Sequence, residues 1–113
     1  VAYSNAIKIE ILGVPKSIVH TQGAVSQACV QAMARGVAAV FKVPVALAVS
    51  GIAGPGGGSR DKPVGTVHIA WFLAGELWSQ KFLFSGERWA IKEQSAQVAL
   101  EELWLRIKKR RNP

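Results

Sequence analysis

An unbroken apolar run, Val-Pro-Val-Ala-Leu-Ala-Val-Ser at residues 43–50, leads directly into a loop at residues 51–65 that holds six glycines and two prolines. A run without alternation predicts a strand buried on both faces and covered by helices, with Pro44 at its entrance. A glycine-rich loop at the carboxyl end of such a strand lies where open α/β sheets bind their ligands. These two features limit the chain to an α/β arrangement and mark one place to look for chemistry.

The rest of the chain supplies elements to match. Residues 66–73 alternate, with Val67, Ile69, Trp71 and Leu73 to one side and Thr66, His68, Ala70 and Phe72 to the other. Ala74-Gly75 predicts a hairpin turn into a second strand over 76–84, and Gly86 separates it from a long helix over 87–109. Upstream, residues 1–4 are short and β-prone. Asn5 is positioned to cap a helix over 6–12, stopped by Gly13 and Pro15, and residues 20–23 read as a turn. Ser26 caps the next helix, whose apolar stripe is Cys29, Met33, Gly36, Val37, Val40 and Phe41. Gly36 weakens that helix relative to alanine, which signals a tight contact. The last helix carries apolar residues on two faces, Trp89, Ala96, Leu100, Leu103, Trp104 and Ile107 on one and Ile91, Val98 and Leu105 nearly opposite. One face packs on the sheet. The other calls for a second cover, with a partner subunit expected ahead of preceding chain. No repeat or low-complexity tract is present, so residues 1–113 read as one domain.

Composition removes several function classes. Half of the 113 residues are hydrophobic and 19% are charged, which excludes a disordered tail. The longest apolar stretches fall well short of the roughly 18–20 residues of a membrane helix. A single cysteine, Cys29, excludes an internal disulfide framework and a cysteine-rich zinc site. No basic and apolar leader opens the chain, so a reducing, cytoplasmic setting is expected. The net charge of +7 falls to +2 without Arg106, Lys108, Lys109, Arg110 and Arg111. That basic tip reads as a solvated helix end meeting the negative pole of the dipole. It lacks the aromatic interleaving of single-strand binders, so nucleic acid is not the expected partner.

The glycine loop is neither a Walker motif, since no Gly-Lys-Ser/Thr follows, nor a dinucleotide fingerprint, since it leads into a strand. It reads as an anion cradle built from backbone N–H groups, or as a flexible connector. Lys8 falls in the first turn of its expected helix, where the positive pole disfavours a protonated amine and makes it a candidate base. The alternative is a solvated lysine. Arg88 opens the last helix, a poor place for a cation unless it serves a ligand or pairs with Glu87 or Asp61. His20 and His68 have no Ser or Asp at triad spacing and read as structural. Cys29 reads as core packing.

Several stretches, in order and at matching spacing, resemble one bacterial family. They are residues 1–8 (Val-Ala-Tyr-Ser-Asn-Ala-Ile-Lys), 12–15 (Leu-Gly-Val-Pro), 23–26 (Gly-Ala-Val-Ser), 50–59, 62–67 (Lys-Pro-Val-Gly-Thr-Val) and 84–88 (Phe-Ser-Gly-Glu-Arg). Together they resemble the CinA C-terminal domain family, whose members are nicotinamide-mononucleotide amidases, from residue 1 to about residue 100. The resemblance implies a three-layer α/β/α fold with a mixed sheet and a long C-terminal helix. It also implies hydrolysis of nicotinamide mononucleotide to nicotinate mononucleotide and ammonia, with no metal or organic cofactor and in a homo-oligomer. Carried over by position, Lys8 and Tyr3 are the implied catalytic groups, with Asn5, Ser50, Gly51, Ala53, Gly54, Gly58 and Arg88 on the substrate. Ser50 stands where the family usually has threonine, and Lys92 where arginine is common, a change from a forked donor to a point charge. Family members carry a preceding segment with a Glu-Ser-Cys-Thr-Gly-Gly motif whose serine is the implied nucleophile. That motif is not among these residues, so the N-terminal part of the fold is expected to be missing. Two other readings are a nucleotide-binding module without turnover and a basic nucleic-acid accessory domain.

Overall fold

Three strands form one sheet in the computed structural model, which describes residues 2–111: β1 (Val45–Gly51), β2 (Thr66–Leu73) and β3 (Glu76–Leu83). Four helices surround it: α1 (Asn5–Glu10), α2 (Lys16–Thr21), α3 (Gln27–Phe41) and α4 (Arg88–Arg111). The alternation of residues 66–73 becomes the central strand. On one side of β2, Ala70 and Phe72 pack with Cys29, Val30 and Met33 of α3. On the other, Val67, Ile69 and Trp71 pack with Ile91 and Ala99 of α4. The result is three layers, helix on sheet on helix, as expected for the α/β class.

Four expectations are corrected. Both strand pairs are antiparallel, Val49 opposite Ile69 and Trp71 opposite Trp78, so the sheet of the described residues is antiparallel rather than mixed. The apolar run of β1 does not make it the doubly covered strand. Ala46 and Ala48 are buried against α3 while Val45 and Val49 stay over one-third exposed, because β1 pairs only with β2 among the described residues and lies at the sheet's edge. The doubly covered strand is β2. Residues 2–4 join no strand, and Val1 lies outside the described residues. The turn expected over 20–23 is narrower: α2 runs on to Thr21, and only Gln22 and Gly23 turn the chain, both N–H groups on the Ile18 carbonyl.

The buried face of α4 coincides with neither expected set: Ile91 is buried and Val98 partly so, Leu105 of the same set is 58% exposed, and Leu103 of the other set packs against the core. Ile91, Ser95 and Ala99 face the sheet, and Trp89, Leu100 and Trp104 face outward, each more than half exposed. The sheet explains the choice. Trp71 is fully buried and stacks on Trp78 at 5.7 Å between ring centres. Its indole N–H donates to the carbonyl of Ala99 at 2.9 Å. Where α4 crosses Trp71 itself, the small Ala99 fits. At the other end of α4, Arg106 lies 4.2 Å over the Trp78 ring and bonds Glu76 at 2.6 Å, and Arg110 approaches the same carboxylate at 4.0 Å. Part of the basic tip is thus tied to the hairpin turn.

The helix caps follow the sequence with one shift of register. Ser26 accepts the Cys29 N–H at 3.2 Å and starts α3, while Ser4, rather than Asn5, accepts the Ile7 N–H at 3.1 Å and starts α1. The stripe of α3 is buried at Cys29, Val30, Met33, Ala34 and Ala38 but runs out at Val40 and Phe41, which are 48% and 69% exposed.

Candidate functional site

A cleft of about 420 Å³ opens beside the carboxyl end of β1. Val49, Ser50 and Gly51 supply its floor, Tyr3 and Lys8 one wall, and Arg88, Lys92 and Ser95 of the first turns of α4 the other. Residues more than eighty positions apart therefore meet at the place where the apolar run ends.

Lys8 is the buried group of that wall, 6% exposed. Its ammonium donates to the carbonyl of Ala2 at 2.8 Å and to that of Tyr3 at 3.4 Å. The expected site in a first turn is corrected: α1 has six residues, and Lys8 stands in its last turn. Helical side chains lean toward the N-terminus, so the lysine folds back on the two carbonyls that precede the helix. The turn behind it is closed by the Val14 N–H on the Lys8 carbonyl at 3.0 Å.

The glycine loop is bonded at both ends. Ile52 and Gly65 extend the ladder, with the Ile52 N–H on the Thr66 carbonyl at 2.9 Å and the Gly65 N–H on the Ile52 carbonyl at 2.7 Å. Farther out, Ser59 and Lys62 exchange two hydrogen bonds, and the Lys62 ammonium reaches the Gln22 carbonyl at 2.6 Å. Between these anchors Gly54 is buried with φ +78°, and a Cβ there would lie 2.6 Å from a Val64 methyl. Only glycine meets both conditions. Arg88 Nη1 donates to the Gly54 carbonyl at 3.1 Å, so its partner is the loop and not Glu87 or Asp61.

Of the residues the sequence singled out, Tyr3, Lys8, Ser50, Gly51, Ala53 and Arg88 line the one cleft. Gly54 shapes it through its carbonyl. Asn5 lies exposed on α1, and Gly58 is exposed on the loop, so neither lines it. His68 is on the α3 side of β2, opposite Ser50 and Lys81 in register. Burial first, then the charges of Lys81 and Lys62, lower its proton affinity. The Cys29 thiol is fully buried and pushed up by that burial, against the fields of Lys8 and Lys62, as suits core packing. Ser95 went unnoticed in the sequence. It is 6% exposed, donates to the Ile91 carbonyl at 2.7 Å and faces the cleft. Its spacing of three from Lys92 and seven from Arg88 puts all three on one helix face, and that pattern was the available signal.

Residues 1–107 match the model of the CinA C-terminal domain. The chain belongs to the CinA C-terminal domain family. A CinA-like protein of Syntrophotalea carbinolica is 50% identical over 94% of this chain and 25% of its own length. A Pseudomonas putida relative named nicotinamide-nucleotide amidohydrolase PncC is 48% identical over 91% of this chain and 64% of its own. The chain thus spans a quarter to somewhat under two-thirds of these relatives. Solved structures agree in fold. A competence/damage inducible protein of Agrobacterium tumefaciens superposes with a TM-score of 0.87 at 38% identity, over 91% of this chain and 64% of that one. A CinA superfamily protein of Enterobacter cloacae gives 0.85 at 35%, over 89% and 60%. No helix among the described residues is long and apolar enough to cross a membrane.

Proposed function

We propose that this CinA-type domain is part of an amidohydrolase that converts nicotinamide mononucleotide to nicotinate mononucleotide and ammonia. The observation that carries this reading is the tethering of Lys8 on the cleft wall. Two of the three outward directions of its nitrogen are occupied by the Ala2 and Tyr3 carbonyls. One direction remains. In the amine form it holds the lone pair, aimed to take a proton from an attacking hydroxyl; in the ammonium form it holds the proton that the departing ammonia needs. A carboxamide is a poor electrophile and requires both an activated nucleophile and a donor for the developing oxyanion. Tyr3 and Ser50 supply hydroxyls in the same cleft. Arg88, with one N–H on the Gly54 carbonyl and others left over, supplies positive charge for the phosphate end of the substrate. The attacking hydroxyl that the family resemblance implies belongs to a motif outside these residues, so the roles assigned here are those of the groups present. The name of the Pseudomonas putida relative supports the substrate.

The test is ammonia release from nicotinamide mononucleotide, with free nicotinamide as control, by the protein and its Lys8→Met variant. Loss of a positioned general base removes about a hundredfold or more in rate. Turnover confined to the mononucleotide and reduced by that factor supports the reading. Turnover by Lys8→Met within about tenfold of the parent refutes Lys8 as the base. Binding without turnover in the parent favours the module that holds nucleotide but does not hydrolyse it.

A further inference from the structure

A second cleft, of about 700 Å³, adjoins the first and shares Ala53, Arg88 and Lys92 with it. Its other walls are Pro55 and Val64 of the glycine loop and Gly86, Glu87 and Trp89 at the start of α4. We propose that the second cleft is a subsite for a nucleoside joined through the substrate's phosphate, so that the site holds carboxamide dinucleotides as well as mononucleotides. This rests on the mononucleotide reading of the first cleft.

The two shared cations decide the geometry. Arg88 and Lys92 are one helical turn apart and pair with no carboxylate among the described residues. Positive charge without a counter-ion, facing two cavities, suits a phosphate or pyrophosphate bridge. A phosphate held there faces open space on its far side rather than a closed wall. The walls of the second cleft match what a second nucleoside offers. Trp89 is 65% exposed and presents an indole for a base to stack on. Pro55 and Val64 give apolar surface to the ring's other parts. Glu87 is an exposed acceptor for an exocyclic amine or a ribose hydroxyl. An uncharged ligand would leave both cations unanswered. A free anion would leave the indole and the apolar wall unused.

Calorimetric titration of the protein with nicotinamide mononucleotide and, separately, nicotinamide adenine dinucleotide tests this, together with competition between them and the same titrations on Trp89→Ala. The expected result is mutual competition, dinucleotide affinity within about tenfold of the mononucleotide's, and a loss of at least about fivefold in the dinucleotide-to-mononucleotide affinity ratio on Trp89→Ala. Because Trp89 is mostly exposed, that variant keeps the fold, and its melting curve checks this. Mononucleotide binding with no dinucleotide binding overturns the subsite and leaves the amidase reading standing. An unchanged affinity ratio in Trp89→Ala overturns the second cleft as the seat of the nucleoside. Dinucleotide binding alone supports the subsite and removes the mononucleotide as substrate, and binding of neither overturns both.

Discussion

Replacing Gly36 by alanine separates two physical effects of opposite sign. In an open helix the change is favourable by about 1 kcal/mol, since alanine is the better helix former. In this protein a Cβ at residue 36 would lie 1.8 Å from the Leu12 carbonyl oxygen and 2.7 Å from its carbon. Ordinary contact begins near 3.4 Å, and the obstacle is backbone, which cannot rotate aside. Overpacking of this kind costs about 1–3 kcal/mol. With the rigid obstacle placing the cost at the upper end, the expected net effect is a loss of about 1–2 kcal/mol, or a melting temperature lower by about 5 °C or more. The displacement also reaches the site. Leu12 belongs to the turn that closes α1, with its N–H on Ile7 and the next bond, Val14 to Lys8, fixing the lysine's backbone. Urea unfolding followed by tryptophan fluorescence gives the stability change, with ammonia release in parallel. Gly36→Ala more stable than the parent would refute the close-contact argument.

Two further outcomes follow from side chains on the α3 side of the sheet. Burial and two lysines hold His68 below its ordinary value of about 6.5, so the folded state binds fewer protons than the unfolded chain. Stability is therefore intact above that value and falls as pH drops below it, and His68→Gln should flatten the decline in a pH series of melting curves; an equally steep decline in the variant would place its cause elsewhere. Lys62→Met removes the tie from the loop to the Gln22 carbonyl, and exchange of the hydrogen-bonded Ser59 and Lys62 amides should quicken by about fivefold, as expected for a bond worth about 1 kcal/mol. Unaltered exchange would show that Ser59 alone fixes the loop.

What the sequence made legible is what neighbouring residues decide. The Ala74-Gly75 turn, both residues at positive φ, the Ser26 cap and the span of α4 depend on local chemistry and came through within a few residues. The close approach at Gly36 was legible because a glycine inside a helix needs a reason. The buried face of α4 was not, because its period offered two faces and the helix crosses Trp71, nearly thirty residues away, where the small Ala99 fits. Strand order misled in the same way: residues 43–50 look doubly buried, yet among the described residues β1 pairs on one side only, and Val45 and Val49 are open. Much of the candidate cleft was visible as motifs. Ser95 was missed because it was read alone instead of with Arg88 and Lys92 on one helix face.

The bond from Arg88 to the Gly54 carbonyl is internal to the protein, joining the start of α4 to the glycine loop. A glycine-rich cradle left to itself would have many conformations to give up when a ligand arrived, and that ordering would weaken association. Here part of that ordering is supplied within the fold, by the same guanidinium that lines the cleft. Recognition then begins from a preorganised surface, and a substitution at residue 88 should slow capture as well as loosen grip.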